Sequence, residues 1–142
     1  MPNTATAEWN GDLKGGKGHF STGSLEGGFT FKSRFEGEND VDANPEQLIA
    51  AAHASCFSMA LSNDLSQHGH DVESVKTTVE VTVKMVDEVP TITKAAISTV
   101  GKVAGIDAAH FAEHAEQARR DCIVSRALAG VNEITLETEF EG

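Results

Sequence analysis

The sequence is short of cysteine, of positive charge and of long apolar runs, and each shortage closes off a class of function. Two cysteines in 142 residues, Cys56 and Cys122, are too few for a disulfide framework or an all-cysteine zinc site. In a reducing compartment a permanent bridge between them is not expected, which leaves either inert thiols or a reactive pair. Lys and Arg total 11 against 22 Asp and Glu, a formal net charge of −11. A surface that acidic repels nucleic-acid backbones and anionic lipid, so neither nucleic acid nor membrane is an expected partner. No run reaches the roughly 18 apolar residues of a membrane span. Residues 1–20 also lack the basic start and apolar stretch of a secretory signal. A cytoplasmic location is the expectation.

What is present is enough for a core. Hydrophobic residues make up 39% and charged residues 23%, and the length suits one domain over 1–142. Thr4–Trp9 alternates, the glycine-rich stretch Gly11–Gly18 reads as a turn, and a second short strand follows around His19–Thr22. Phe29, Phe31 and Phe35 alternate with Thr30, Lys32 and Arg34, which predicts a third strand. Glu36–Ala43 reads as an acidic loop. Asn44-Pro45-Glu46 is then a strong helix start: an N-cap, a residue suited to the first helical position, and an acid that complements the dipole. The helix is expected to run to about His68, stopped by Gly69. From Leu48 to Leu61 its only polar side chains are His53, Ser55 and Ser58, so it reads as buried on most sides, partly against another subunit.

Val75, Val79, Val81, Val83 and Met85 alternate with polar residues as a half-buried strand, and Asp87–Pro90 turns it into a second one over about Thr91–Val103. A helix is expected over about Ala108–Arg120 with Phe111, Ala115 and Ala118 inward, then a short helix over Cys122–Ala129 closed by Gly130. Ile134, Leu136, Thr138 and Phe140 mark a last strand. The order βββ-α-ββ-αα-β predicts an α+β fold rather than a doubly wound parallel sheet.

Three constellations bear on chemistry. His110-Phe-Ala-Glu-His114 matches the H-x-x-E-H metal signature, but the Phe111/Ala115/Ala118 stripe turns both imidazoles toward solvent, and a metal site is rejected. His53 lies three residues before Cys56, on the same side of the helix. A Cys–His nucleophilic pair is one reading, and a satisfied or supporting core histidine is the favoured one. Cys56 sits far from the helix N-terminus, so a reactive thiolate there needs a cation brought to it, and Arg suits best. Cys122 opens a short helix among Arg119, Arg120 and Arg126.

Four segments carry a resemblance: Ala7-Glu-Trp-Asn-Gly-Asp-Leu-Lys-Gly-Gly-Lys-Gly18, Arg34-Phe-Glu-Gly37, Asn44-Pro-Glu-Gln-Leu-Ile-Ala-Ala-Ala-His-Ala-Ser-Cys-Phe-Ser-Met-Ala-Leu61 and Cys122-Ile-Val-Ser125. Together, and in order over essentially the whole chain, they resemble the OsmC branch of the OsmC/Ohr family. The resemblance implies a thiol-dependent peroxidase for organic hydroperoxides, working as an intertwined homodimer with no metal or organic cofactor and an external dithiol as reductant. In that family a peroxidatic cysteine on the central helix is paired with an Arg and a Glu, and a second cysteine resolves the sulfenic acid. Those roles fall on Cys56, Arg34, Glu46 and Cys122. Ile123 stands where the family usually has Pro, so a looser turn at Cys122 is expected. Glu46 and Cys56 are ten residues apart, about 15 Å by helical rise, and cannot meet on one rigid helix. Two copies antiparallel across a two-fold axis would bring each Glu46 to the partner's Cys56. Strand alternation sets Arg34 opposite Phe31 and Phe35, leaving its route to Cys56 open. The rival readings are a Cys–His hydrolase on Cys56 and His53, and a dimeric ligand-binding or structural protein with inert thiols.

Overall fold

A computed structural model of the chain, describing residues 2–37 and 42–142, divides it at Leu48 into two units. The first holds an antiparallel meander of β1 (Thr6–Asn10), β2 (Lys17–Thr22) and β3 (Leu25–Phe29). Its first turn is built by Asp12, whose carboxylate accepts from the Gly15 N–H at 2.7 Å and whose carbonyl accepts from the Gly16 N–H at 3.0 Å. A Cβ on Gly16 would lie 2.4 Å from the Asn10 carbonyl oxygen, so the turn closes only around glycine.

The predicted third strand is corrected here. The chain leaves the sheet at Phe29 and forms a short helix, α1 (Phe31–Phe35). Thr30 caps it: the Ser33 N–H donates to Thr30 Oγ1 at 3.0 Å and the Thr30 N–H donates back to Ser33 Oγ at 2.9 Å, a reciprocal capping box. Phe31 and Phe35, four apart, pack on one helical side with ring centroids at 5.2 Å. Buried Ser33 also donates to the Ala43 carbonyl at 2.7 Å, and Asn44 Nδ2 donates to the Ser33 carbonyl at 3.0 Å, tying α1 to the entry of the next helix. Of the expected acidic loop over Glu36–Ala43, residues 38–41 lie outside the described residues.

The long helix is α2 (Pro45–Gln67), begun as expected by Asn44, whose Oδ1 accepts from the Gln47 N–H at 2.8 Å. It ends in a Schellman motif: Gly69 takes φ 83°, the His70 N–H reaches the Leu65 carbonyl at 3.0 Å, and the Gly69 N–H reaches that of Ser66 at 3.0 Å. Within the chain this helix buries a single stripe, His53, Phe57, Leu61 and Leu65, while Ala51, Ala52 and Met59 are exposed. Burial on most sides is therefore not achieved by the described residues of one chain.

The second unit's sheet has the order β4 (Asp71–Val86), β5 (Val89–Ala104), β6 (Glu133–Phe140). β4 and β5 form an antiparallel hairpin, with Asp87 and Glu88 both at positive φ in its two-residue turn. Val79 is buried, but Val83 and Met85 toward the hairpin tip are exposed, which corrects the expectation of a half-buried strand to its end. On β5 every second residue from Ala95 to Val103 is buried against the stripe on α2 and against Phe111, Ala115 and Ala118 of α3 (Ala108–Asp121). Gly101 lets α3 approach, because a Cβ there would lie 2.1 Å from the Phe111 ring. α4 (Ile123–Ala127) follows, and its C-cap is Leu128 rather than Gly130. β6 then returns parallel to β5, the crossover form that needs intervening helices. The fold is α+β, with α1 added to the expected order.

Candidate functional site

In the first unit the structure joins two of the four expected residues. Arg34, in the last turn of α1, donates through Nη2 to Glu46 Oε1 at 2.7 Å and through Nε to both carboxylate oxygens at 3.0 and 3.2 Å. Glu46 lies in the first turn of α2, where a negative side chain complements the dipole. The pair is held by the elements on either side: Ser33, next to Arg34, is fixed by the capping box, and Asn44 fixes the start of the Glu46 helix. The strand placement of Arg34 opposite the phenylalanines is thus corrected. On a helix, its side chain turns to Glu46 while the Phe35 ring lies 5.2 Å from the guanidinium.

In the second unit the structure joins the two cysteines. Cys56 is half-buried on α2, Cys122 is buried at the head of α4, and both are free thiols. Burial pushes the Cys122 thiol above its ordinary range. The Ser125 hydrogen bonds pull the other way, and the neighbouring Cys56 adds to the upward push. Cys122 is itself the N-cap of α4: its Sγ accepts from the Ser125 N–H at 3.3 Å and donates to Ser125 Oγ at 3.1 Å. The turn at Ile123 is closed by the sulfur in the absence of Pro.

His53 does not pair with Cys56. Its Nε2 lies 2.7 Å from Ser125 Oγ, the ring is fully buried, and Nδ1 has no hydrogen-bond partner among the described residues. Burial lowers its pKa. Ser125 is the residue that reading the sequence missed. Its signal was its place three residues after Cys122, the spacing at which a cap residue meets the first turn.

The two histidines of the H-x-x-E-H segment part company. His110 is exposed and bonded to Asp107 Oδ1 at 2.7 Å, as a solvent-facing histidine. His114 is corrected: it is half-buried, its Nδ1 2.5 Å from Asp64 Oδ2, with the His68 ring 5.0 Å away. Asp64, His68 and His114 each bring one ligand atom within 4.8 Å of the others. No helix among the described residues is long and apolar enough to cross a membrane.

Residues 37–138 match the family model described as OsmC-like protein. The chain is 44% identical over 138 residues to Peroxiredoxin OsmC of Escherichia coli K12, covering 95% of this chain and 94% of that one. It is 32% identical over 105 residues to Organic hydroperoxide resistance protein-like 2 of Staphylococcus epidermidis, covering 71% and 70%. The crystal structure of an organic hydroperoxide resistance protein OsmC from Legionella pneumophila shares the fold, with a TM-score of 0.71 at 24% identity over 96% of each chain. With its fold, its paired thiols and these matches, the chain belongs to the OsmC-like protein family.

Proposed function

We propose that this chain is a two-cysteine peroxidase that reduces organic hydroperoxides in defence against oxidative stress. The observation that carries the reading is the adjacency of half-buried Cys56 and buried Cys122, both reduced, on two different helices. Relatives named for peroxiredoxin activity and for organic hydroperoxide resistance support it. Cys56 thiolate attacks the distal peroxide oxygen, releasing the alcohol and leaving Cys56 as a sulfenic acid. Cys122 condenses with it to a disulfide and water, and an external dithiol restores both thiols. The apolar residues from Leu48 to Leu61 suit an alkyl or lipid hydroperoxide better than hydrogen peroxide.

In this reading 1–142 is one OsmC-like domain, located in the cytoplasm and working as a homodimer. The Arg34–Glu46 pair of one protomer serves the partner's Cys56, with Arg34 stabilising the thiolate and Glu46 fixing the guanidinium. Exposed Ala51, Ala52 and Met59 on α2, with Met85 and Val89 at the hairpin tip, supply apolar surface for such a contact. The hydrolase alternative loses ground because the His53 ring is engaged by Ser125 rather than by the Cys56 thiol.

The test compares consumption of cumene hydroperoxide with that of hydrogen peroxide, each supplied with several dithiols. Cys56→Ser abolishes turnover, since a serine hydroxyl cannot reduce a peroxide. Cys122→Ser permits one stoichiometric oxidation and no cycling. Full steady-state activity in Cys56→Ser would sink the mechanism, and slow alkylation of both cysteines at neutral pH with no peroxide consumption would favour inert thiols.

A further inference from the structure

A line of hydrogen bonds runs through the second unit from the expected resolving thiol to a buried imidazole. Cys122 Sγ donates to Ser125 Oγ at 3.1 Å, and Ser125 Oγ lies 2.7 Å from His53 Nε2. In one of the two ring tautomers, the hydroxyl that accepts from the thiol donates its own proton to Nε2, which receives it on a lone pair. The ring proton then sits on Nδ1, the buried atom with no partner among the described residues. Native structures leave few buried polar atoms unpaired, and one that persists beside a reacting group calls for a functional account.

We propose that Ser125 and His53 form a proton relay that deprotonates Cys122 as it attacks the Cys56 sulfenic acid. This rests on the two-cysteine reading above. The thiolate is the attacking species in disulfide formation, and burial holds Cys122 in the thiol form, so the step needs a base at the sulfur. Ser125 bonds Cys122 Sγ through both its hydroxyl and its N–H, and the N–H at 3.3 Å remains a donor to the sulfur as negative charge develops.

The step balances. The Cys122 proton passes to Ser125 Oγ as the Ser125 proton passes to His53 Nε2. The Cys122 sulfur bonds to the Cys56 sulfur while the Cys56 S–O bond breaks. The departing hydroxide recovers the proton from His53 along the same hydroxyl and leaves as water. Cys122 is oxidised, the sulfenic sulfur is reduced, and no outside electron or proton is consumed. An imidazole with one unpartnered nitrogen holds a second proton poorly, which suits a group that must return it. Burial alone shifts His53, with no charged side chain contributing, and the ionisable groups along the line are the Cys122 and Cys56 thiols.

The experiment separates the two half-reactions. The reduced protein is mixed with one equivalent of cumene hydroperoxide; Cys56 sulfenic acid is trapped with dimedone, and disulfide closure is followed by quenched-flow mass spectrometry. Ser125→Ala removes the middle of the line. His53→Gln keeps an acceptor for Ser125 but no basic site, and Ser125→Thr keeps the hydroxyl. Sulfenic acid should form at the wild-type rate in all three. Closure should slow about 100-fold, at the low end of what a positioned base contributes, in Ser125→Ala and His53→Gln, and recover in Ser125→Thr. In His53→Gln, closure should rise about tenfold per pH unit, since hydroxide then replaces the base. Wild-type closure in either of the first two variants overturns the relay, as does equal slowing of both half-reactions or equal loss in Ser125→Ala and Ser125→Thr. A wild-type protein that forms sulfenic acid at Cys56 but no Cys56–Cys122 disulfide overturns the two-cysteine reading itself, and the relay with it.

Discussion

Ser33→Ala tests whether α1 is what holds Arg34 in place. Ser33 is 1% exposed: its hydroxyl accepts from the Thr30 N–H at 2.9 Å and reaches the Ala43 carbonyl at 2.7 Å and the Thr30 carbonyl at 3.0 Å as a donor, and its N–H donates to Thr30 Oγ1 at 3.0 Å. Alanine keeps only the last. Losing half of the capping box costs about 1 kcal/mol, and leaving the Ala43 carbonyl without its donor costs about 1–3 kcal/mol. Alanine's better helix propensity returns about 0.5 kcal/mol. The net, about 1.5–3.5 kcal/mol, falls on a helix of only five residues. Arg34, the next residue, then loses the backbone that aims it at Glu46. Hydrogen exchange followed by mass spectrometry reads this directly: amides from Thr30 to Glu36 should exchange at least about tenfold faster than wild type. Peroxide turnover should fall in parallel, and Ser33→Thr should preserve both. Wild-type exchange in Ser33→Ala would refute the local account. Faster exchange with unchanged turnover would detach Arg34 from the chemistry.

Arg34→Met keeps the stem and removes the charge, so stopped-flow oxidation of Cys56 by cumene hydroperoxide at neutral pH should slow; a wild-type rate would disqualify Arg34 as the activating cation. Refolding a Cys56→Ser chain with a Glu46→Ala chain should recover about a quarter of wild-type turnover, since half the dimers are mixed and each mixed dimer holds one complete site when sites are shared. No recovery from a mixture shown to contain heterodimers rejects sharing. The Cys122 thiol has a folded pKa raised above its unfolded value by burial. Its contribution to stability is therefore fully present below the unfolded thiol pKa, about 8.5, and lost as pH rises through the folded one. Urea unfolding across that range should show wild type losing stability relative to Cys122→Ala, and parallel curves would contradict the burial argument.

The parts of this fold that were legible in advance are those where a local rule and the tertiary structure agree. Asn44-Pro45 opens α2 by capping chemistry alone, and Gly69 closes it because the left-handed cap favours glycine. Phe31 and Phe35 misled because a spacing of four satisfies a strand's period of two and also places both rings on one side of a helix. The deciding signal was the pair Thr30 and Ser33, a box written in two small polar residues. Alternation marked β6 as a strand but carries no direction, so its parallel pairing with β5 was not readable. His114 was assigned to solvent by its own helix's apolar stripe, and only packing against α2 supplies Asp64 as its partner. Cys56 and Cys122 were singled out from sequence, whereas the Ser125–His53 bond between them and the interior spans the distance from α2 to α4 and needs the folded chain.

Trp9 gives the molecule an optical property that its chemistry does not require. The chain has one tryptophan and no tyrosine, so near-ultraviolet emission comes from a single indole. That ring lies in the first unit, tilted against Phe29 at 5.6 Å, its N–H shared between the Gly11 and Asp12 carbonyls at 3.1 Å each. Emission therefore reports on the meander that leads into α1. Far-ultraviolet dichroism is dominated by the second unit, with its two 16-residue strands and most of the helix. Recorded together during denaturation, the two signals distinguish one cooperative transition from two, with no label attached and neither thiol touched.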